Sequence, residues 1–206
     1  MKTSFFWLAT SLLSWPLLSA QAQTPTLGEG TAQQLAEALG PDQLLHVRAG
    51  ADQRNTASLL QNGTGNTATL SQSSLNLPAN QAYIVQVGTT NELNLLQQGS
   101  ANRTNYTQTG NGNQGMLGQY GTANTLEGSV TGNQNVINLT QDGSNNQIRS
   151  EVAASNRQYN LSQIGSNNSI TQRETTPSAQ PGYSIEQRGS NMHITVEQGR
   201  GLPGVP

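Results

Sequence analysis

His46 and His193 are the chain's two histidines and the first places to look for acid–base or metal chemistry. They stand near opposite ends of the sequence, with no convergent carboxylates and no nucleophile beside either one, so coil tips account for them better than catalysis. Cysteine is absent, which removes both a disulfide framework and a thiolate metal site. There is no Gly-Gly-x-Gly-x-Asp calcium nonapeptide, no phosphate-binding loop and no basic patch that would hold nucleic acid. The expectation is therefore a non-enzymatic chain without cofactor, metal or nucleic-acid partner. The groups it has in abundance are the amides of Gln and Asn, whose chemistry is hydrogen bonding on both sides at once.

Those amides recur. A Gln-x-Gly-x-x-Asn pattern runs through Gln61/Gly63/Asn66, Gln86/Gly88/Asn91, Gln97/Gly99/Asn102, Gln108/Gly110/Asn113, Gln119/Gly121/Asn124, Gln141/Gly143/Asn146 and Gln163/Gly165/Asn168. Successive glutamines are mostly 11 residues apart, and Gln72, Gln187, Gln198, Asn135, Gly132 and Gly189 fit the same phase. Self-similarity at fixed period marks a solenoid or an array. Each unit reads as a strand followed by a tight arc, in which the glycine supplies backbone freedom. Positions two apart share a side, so Asn91-Leu93-Leu95-Gln97 and Asn135-Ile137-Leu139-Gln141 place a small apolar centre between two amides. The residues between them, such as Glu92, Asn94, Arg103 and Asn138, are expected to face water.

The departures from the pattern reveal a longer period. A coil of 22 residues separates alternate units into two columns, one reading Gln72, Gln97, Gln119, Gln141, Gln163, Gln187 and the other Gln61, Gln86, Gln108, Val130, Val152, Glu174, Gln198. All glutamine losses fall in one column. The expected fold is an all-β solenoid of about six two-strand coils, with insertions at residues 73–79 and around 175–180 and with in-register Gln/Asn ladders. The N-terminal coils, regular in both columns, are the expected growth end, and nothing after Gln198 reads as a cap.

Composition agrees with a polar stack. Only 33% of residues are hydrophobic and 4% aromatic, too few for an ordinary apolar core, yet 10% charged residues and a net charge of −2 are too little charge for a self-repelling disordered chain. Lys2, the apolar run from Phe5 to Leu18 and Ala20-Gln21-Ala22 form an expected signal peptide over residues 1–22, so the mature chain is expected outside the cell. Residues 23–49 read as a flexible leader or a short helix over 31–39, with Thr31 as N-cap and Gly40-Pro41 as stop. The solenoid then covers 50–198, and a Gly/Pro tail covers 199–206. Scattered charges at Arg103, Asp142, Arg149, Glu151, Arg157, Arg173 and Arg188 are expected on outward faces or arcs, where they would act as gatekeepers or as plain solvated surface.

With repeats of this form behind a signal peptide, residues 50–198 resemble the curlin repeats of bacterial curli subunits, and the pattern in both half-coils is more similar to the minor, nucleating subunit than to the major one. The resemblance implies a self-assembling homopolymer that also joins other curlin subunits. It further implies export through an outer-membrane channel with accessory secretion factors, and fibres that adhere to host or abiotic surfaces and build biofilm. Departures at Val130, Val152, Ala154, Arg157, Glu174, Pro181 and Met192 set the last coils apart. Two other classes compete. A monomeric adhesin or ice-binding solenoid would carry a flat outward ladder of one residue type, and a polysaccharide-cleaving β-helix would carry clustered acids and larger coils.

Overall fold

The computed structural model describes residues 55–74, 78–175 and 181–199 in full and the backbone strands at 33–38 and 43–48. The expected signal peptide and most of the C-terminal tail lie outside the described residues. Fifteen strands follow one another: β1 (Gln33–Ala38), β2 (Gln43–Arg48), β3 (Thr56–Thr64), β4 (Thr67–Ser73), β5 (Gln81–Thr89), β6 (Glu92–Ser100), β7 (Arg103–Asn111), β8 (Gln114–Thr122), β9 (Thr125–Thr131), β10 (Val136–Ser144), β11 (Gln147–Ala153), β12 (Gln158–Ser166), β13 (Ser169–Glu174), β14 (Gly182–Ser190) and β15 (His193–Gln198).

From β3 onward the strands alternate between two sheets, and each pairs in parallel with the strand one full coil away. This is the expected β-solenoid. The step is 22 residues through the middle, as in Gln119↔Gln141. It lengthens to 25 at Gln72↔Gln97 and to 24 at Gln163↔Gln187, where the sequence carries its two insertions. The first sheet runs β1-β4-β6-β8-β10-β12-β14 and the second β2-β3-β5-β7-β9-β11-β13-β15.

The strand period of two puts one row inside. Leu59, Ile84, Leu93, Leu95, Leu117, Leu126, Ile137, Leu139, Ile148, Leu161 and Ile170 form a narrow apolar core along the axis, flanked on both sides by buried amides. Two tyrosines, Tyr106 and Tyr159, intrude into it, and the first is accommodated by two glycines. The Tyr106 ring lies where a Cβ on Gly128 would come within 2.3 Å of it, and a Cβ on Gly115 would come within 2.6 Å of Leu93 and 3.3 Å of Tyr106. Volume is thus conserved across neighbouring coils even though no single column is uniform.

The arcs need more than flexibility. Gly63, Gly88, Gly99, Gly110, Gly121, Gly143 and Gly165 all have positive φ, and a Cβ on Gly99 would sit 1.9 Å from the carbonyl oxygen of Gly121 in the next coil. Backbone stacks directly on backbone there, so a side chain at any of these glycines meets the next coil; Ala154 stands next in line after Gly132, where the column of the second sheet departs from glycine. Among the described residues, ten arcs contain a left-handed position two residues further on, occupied by Gly65 and Gly112 in two of them and by Thr90, Ala101, Ala123, Gln134, Asn145, Asn156, Asn167 and Asn191 in the others.

Two expectations are corrected at the N-terminus. Residues 33–38, read as part of a short helix or flexible leader, form β1, which pairs antiparallel with β4. β2 pairs antiparallel with β3. The leading coil therefore does not present an open growth edge, because both of its strands are covered by the chain's own residues. Among the described residues, the edges left unpaired are those of β14 and β15. A local Leu35/Leu39 spacing suited to a helix is outweighed by two rows of unpaired N–H and C=O groups that a strand can satisfy.

Candidate functional site: amide ladders and coil edges

In the first sheet the glutamines form one continuous directional ladder. The Nε2 of Gln72 donates to Oε1 of Gln97 at 2.5 Å, Gln97 to Gln119 at 2.7 Å, Gln119 to Gln141 at 2.9 Å, Gln141 to Gln163 at 3.0 Å and Gln163 to Gln187 at 2.9 Å. Each of these amides except Gln163 also has a main-chain contact. Gln97 donates to the carbonyl of Gln81 and Gln119 to that of Arg103, both in the opposite sheet, at 3.1 Å. One side chain thus ties its own sheet along the axis and the two sheets to each other. All six are buried.

The second sheet begins in the same way, with Gln61 donating to Gln86 at 2.5 Å and Gln86 to Gln108 at 2.9 Å. The ladder stops there because Val130 and Val152 fill the next two places. At the N-terminal end, Oε1 of Gln61 is buried with no hydrogen-bond partner.

The asparagines serve the arcs. Oδ1 of Asn91 accepts the backbone N–H of Asn113 at 3.1 Å, and Nδ2 of Asn91 donates to the carbonyl of Gly110 at 2.8 Å. The same exchange links Asn66 to Asn91, Asn113 to Asn135, and the series Asn102, Asn124, Asn146 and Asn168. Asn55 and Asn80 head the second series. Arg157 and Met192 end the two series, and their backbone N–H groups still donate to Asn135 and Asn168. Of the ladder residues expected from sequence, Gln198 alone stands exposed, at the open edge of β15 and in register with Glu174.

The C-terminal coils replace the missing glutamines with a different interior. Glu174 is buried and accepts a hydrogen bond from the Tyr159 hydroxyl at 3.2 Å, while Ser150 donates to Gln172 at 2.7 Å. Tyr159 meets Tyr183 edge to face, with ring centroids 4.8 Å apart. Burial pushes the Tyr183 hydroxyl up to about 12, with Glu174 adding to the rise and the Gln172 amide opposing it. Tyr159 is raised chiefly by burial and then by Glu174.

Arg157, expected on an outward face or arc, is buried instead, so it is corrected as a surface gatekeeper. Arg103, Asp142, Arg149, Glu151, Arg173 and Arg188 are exposed as expected. Opposite charges stand in register on the outside of the second sheet, pairing Glu127 with Arg149 at 3.7 Å and Glu151 with Arg173 at 3.4 Å. Both pairs are solvated and each contributes a few tenths of a kcal/mol, on the order of other exposed pairs. His46 and His193, expected at coil tips, lie within β2 and β15. Among the described residues, no three His, Cys, Asp or Glu side chains are close enough to hold a metal ion, and no helix is long and apolar enough to cross a membrane.

No family model matches the chain, and no curated protein or solved structure matches it. What the arrangement can do is therefore argued from the ladders and edges. They present two parallel sheet edges at one end and a donor-to-acceptor direction that is the same in every glutamine step.

Proposed function

We propose that this protein is a structural subunit of an extracellular curli-type amyloid fibre, self-assembling by strand stacking and nucleating or joining fibre growth at the cell surface in adhesion and biofilm. The observation that carries this reading is the unbroken, one-directional Gln72-to-Gln187 ladder running to an open sheet edge. A hydrogen-bond ladder of that kind is completed at its end only by another strand carrying the same groups. The curlin-like repeat spacing supports the same reading, as does the expected signal peptide for export through the periplasm and an outer-membrane channel.

The test uses the mature chain, purified under denaturing conditions and transferred to neutral buffer. Fibres that bind an amyloid dye and give a meridional reflection near 4.8 Å, roughly the inter-strand spacing of any cross-β stack, are the expected result. A chain that stays monomeric for days at micromolar concentration overturns the reading. Substoichiometric seeding of a major curlin separates the nucleator from a bulk subunit, because a bulk subunit polymerises robustly alone and seeds poorly.

A further inference from the structure

The two sheets do not hold the same number of strands. Among the described residues the first has seven and the second eight, and both totals include one antiparallel N-terminal strand. If copies of the chain stack end to end with both sheets continuous, β15 of one copy needs the edge of β3 in the next, and that edge is the one β2 occupies. The first sheet has the opposite difficulty. Its solenoid strands are one fewer than those of the second sheet, so stacking leaves a one-strand gap between β14 and the next copy's β4, the place β1 already occupies. Releasing β2 and keeping β1 leaves seven strands in each sheet and a joint without gap or overlap.

Resting on the fibre-subunit reading above, we infer that β2 is a removable edge strand which the β15 of a second copy displaces, while β1 stays as the spacer. The orphaned amide oxygen of Gln61 points to the same joint. Every glutamine step donates from Nε2 of the earlier coil to Oε1 of the later one. In the register that pairs Glu174 with Gln198, β15 stacked on β3 brings Gln198 opposite Gln61. The exposed Gln198 then supplies the donor that the buried Gln61 Oε1 lacks with β2 in place. The exchange gives up one six-residue antiparallel pairing and forms two interfaces, β15 on β3 and β14 on β1. Growth that waits for β2 to leave is thereby slowed in the free chain and directional in the fibre.

The chain has no cysteine, so β2 can be locked to β3 by a single engineered disulfide at His46→Cys with Ser58→Cys, residues opposite one another in the antiparallel register. The oxidised double variant alone is expected to extend at least about tenfold more slowly than its reduced form, since each joint then lacks an open β3 edge. It should still seed unlocked wild-type chains through its free β14 and β15. Equal extension rates for oxidised and reduced forms overturn the inference while leaving the fibre reading intact. Absence of fibres from the wild-type chain itself overturns both. A second variant guards against a misfolded lock: Leu45→Pro weakens β2 and should shorten the wild-type lag, and an unchanged or longer lag overturns the inference as well.

Discussion

A buried glutamine is a costly residue until both ends of its amide are used. Gln119 uses all of its capacity, accepting from Gln97 and from the Thr104 hydroxyl and donating to Gln141 and to the carbonyl of Arg103. Gln119→Leu keeps the volume but strands the Oε1 of Gln141, and an unsatisfied buried acceptor costs about 1–3 kcal/mol. The expected loss on urea unfolding of the soluble chain is in that range, whereas outward Asn94→Leu should change stability by less than about 0.5 kcal/mol. Tyr106 behaves in the opposite sense. Its hydroxyl is buried with no hydrogen-bond partner, so Tyr106→Phe removes an orphan and should be neutral or stabilising by up to about 1 kcal/mol. Burial raises its pKa. A tyrosine held neutral by the fold contributes stability that is intact below its ordinary value of 10.0 and is lost as pH climbs toward the raised one. Alkaline unfolding beginning above pH 10 should therefore be shallower in Tyr106→Phe, as read by circular dichroism across a pH series. Alternation and the two-column split made these interior residues legible in the sequence. The burial of Arg157 was not, because a charged residue on a short repeat carries no local sign of facing inward, and it sits where the asparagine series lapses.

At the scale of the element, the arc is stricter than the strand. Sequence spacing located the first glycine of each arc and assigned it a turn, but the structure adds that the next coil's backbone fills the space beside it. Gly121→Ala would drive a Cβ to within 2.1 Å of the Gly143 carbonyl at a φ of +103, so both contact and backbone oppose it. The expected outcome is failure to form the regular stack, seen as loss of protease-resistant core. The second left-handed position went unread because glycine fills it in only two arcs. Thr90 is the least suited occupant, being β-branched at a φ of 53. Thr90→Gly relieves a left-handed penalty of roughly 1–2 kcal/mol, less the extra flexibility glycine gives the unfolded chain, so a net gain of several tenths of a kcal/mol in urea midpoint analysis is expected. The misread helix at 31–39 has a related origin. Local apolar spacing is evaluated within one segment, whereas the open backbone of β3 and β4 is a demand set by residues far along the chain.

Across the whole molecule, repeat period and composition made the solenoid legible, but only the paired registers show that one end is covered and the other open. Charge decides how freely such ends meet. A net charge of −2 on 206 residues gives little long-range repulsion, and Glu127, Arg149, Glu151 and Arg173 on the outside of the second sheet are already matched in register. At ionic strengths from about 0.02 to 0.5 M the Debye length falls several-fold, yet two weakly charged coil ends have little to screen. If backbone pairing and amide ladders govern the joint, elongation of pre-formed seeds should change by less than about threefold over that range. Acidification toward the sequence pI of about 5.6 should accelerate it modestly, because the residual negative charge disappears there. Elongation that falls steeply with salt would instead place attraction between unlike charges at the joint, and the exposed Glu186, Arg188 and Glu197 of the last two strands would then be the groups to neutralise first.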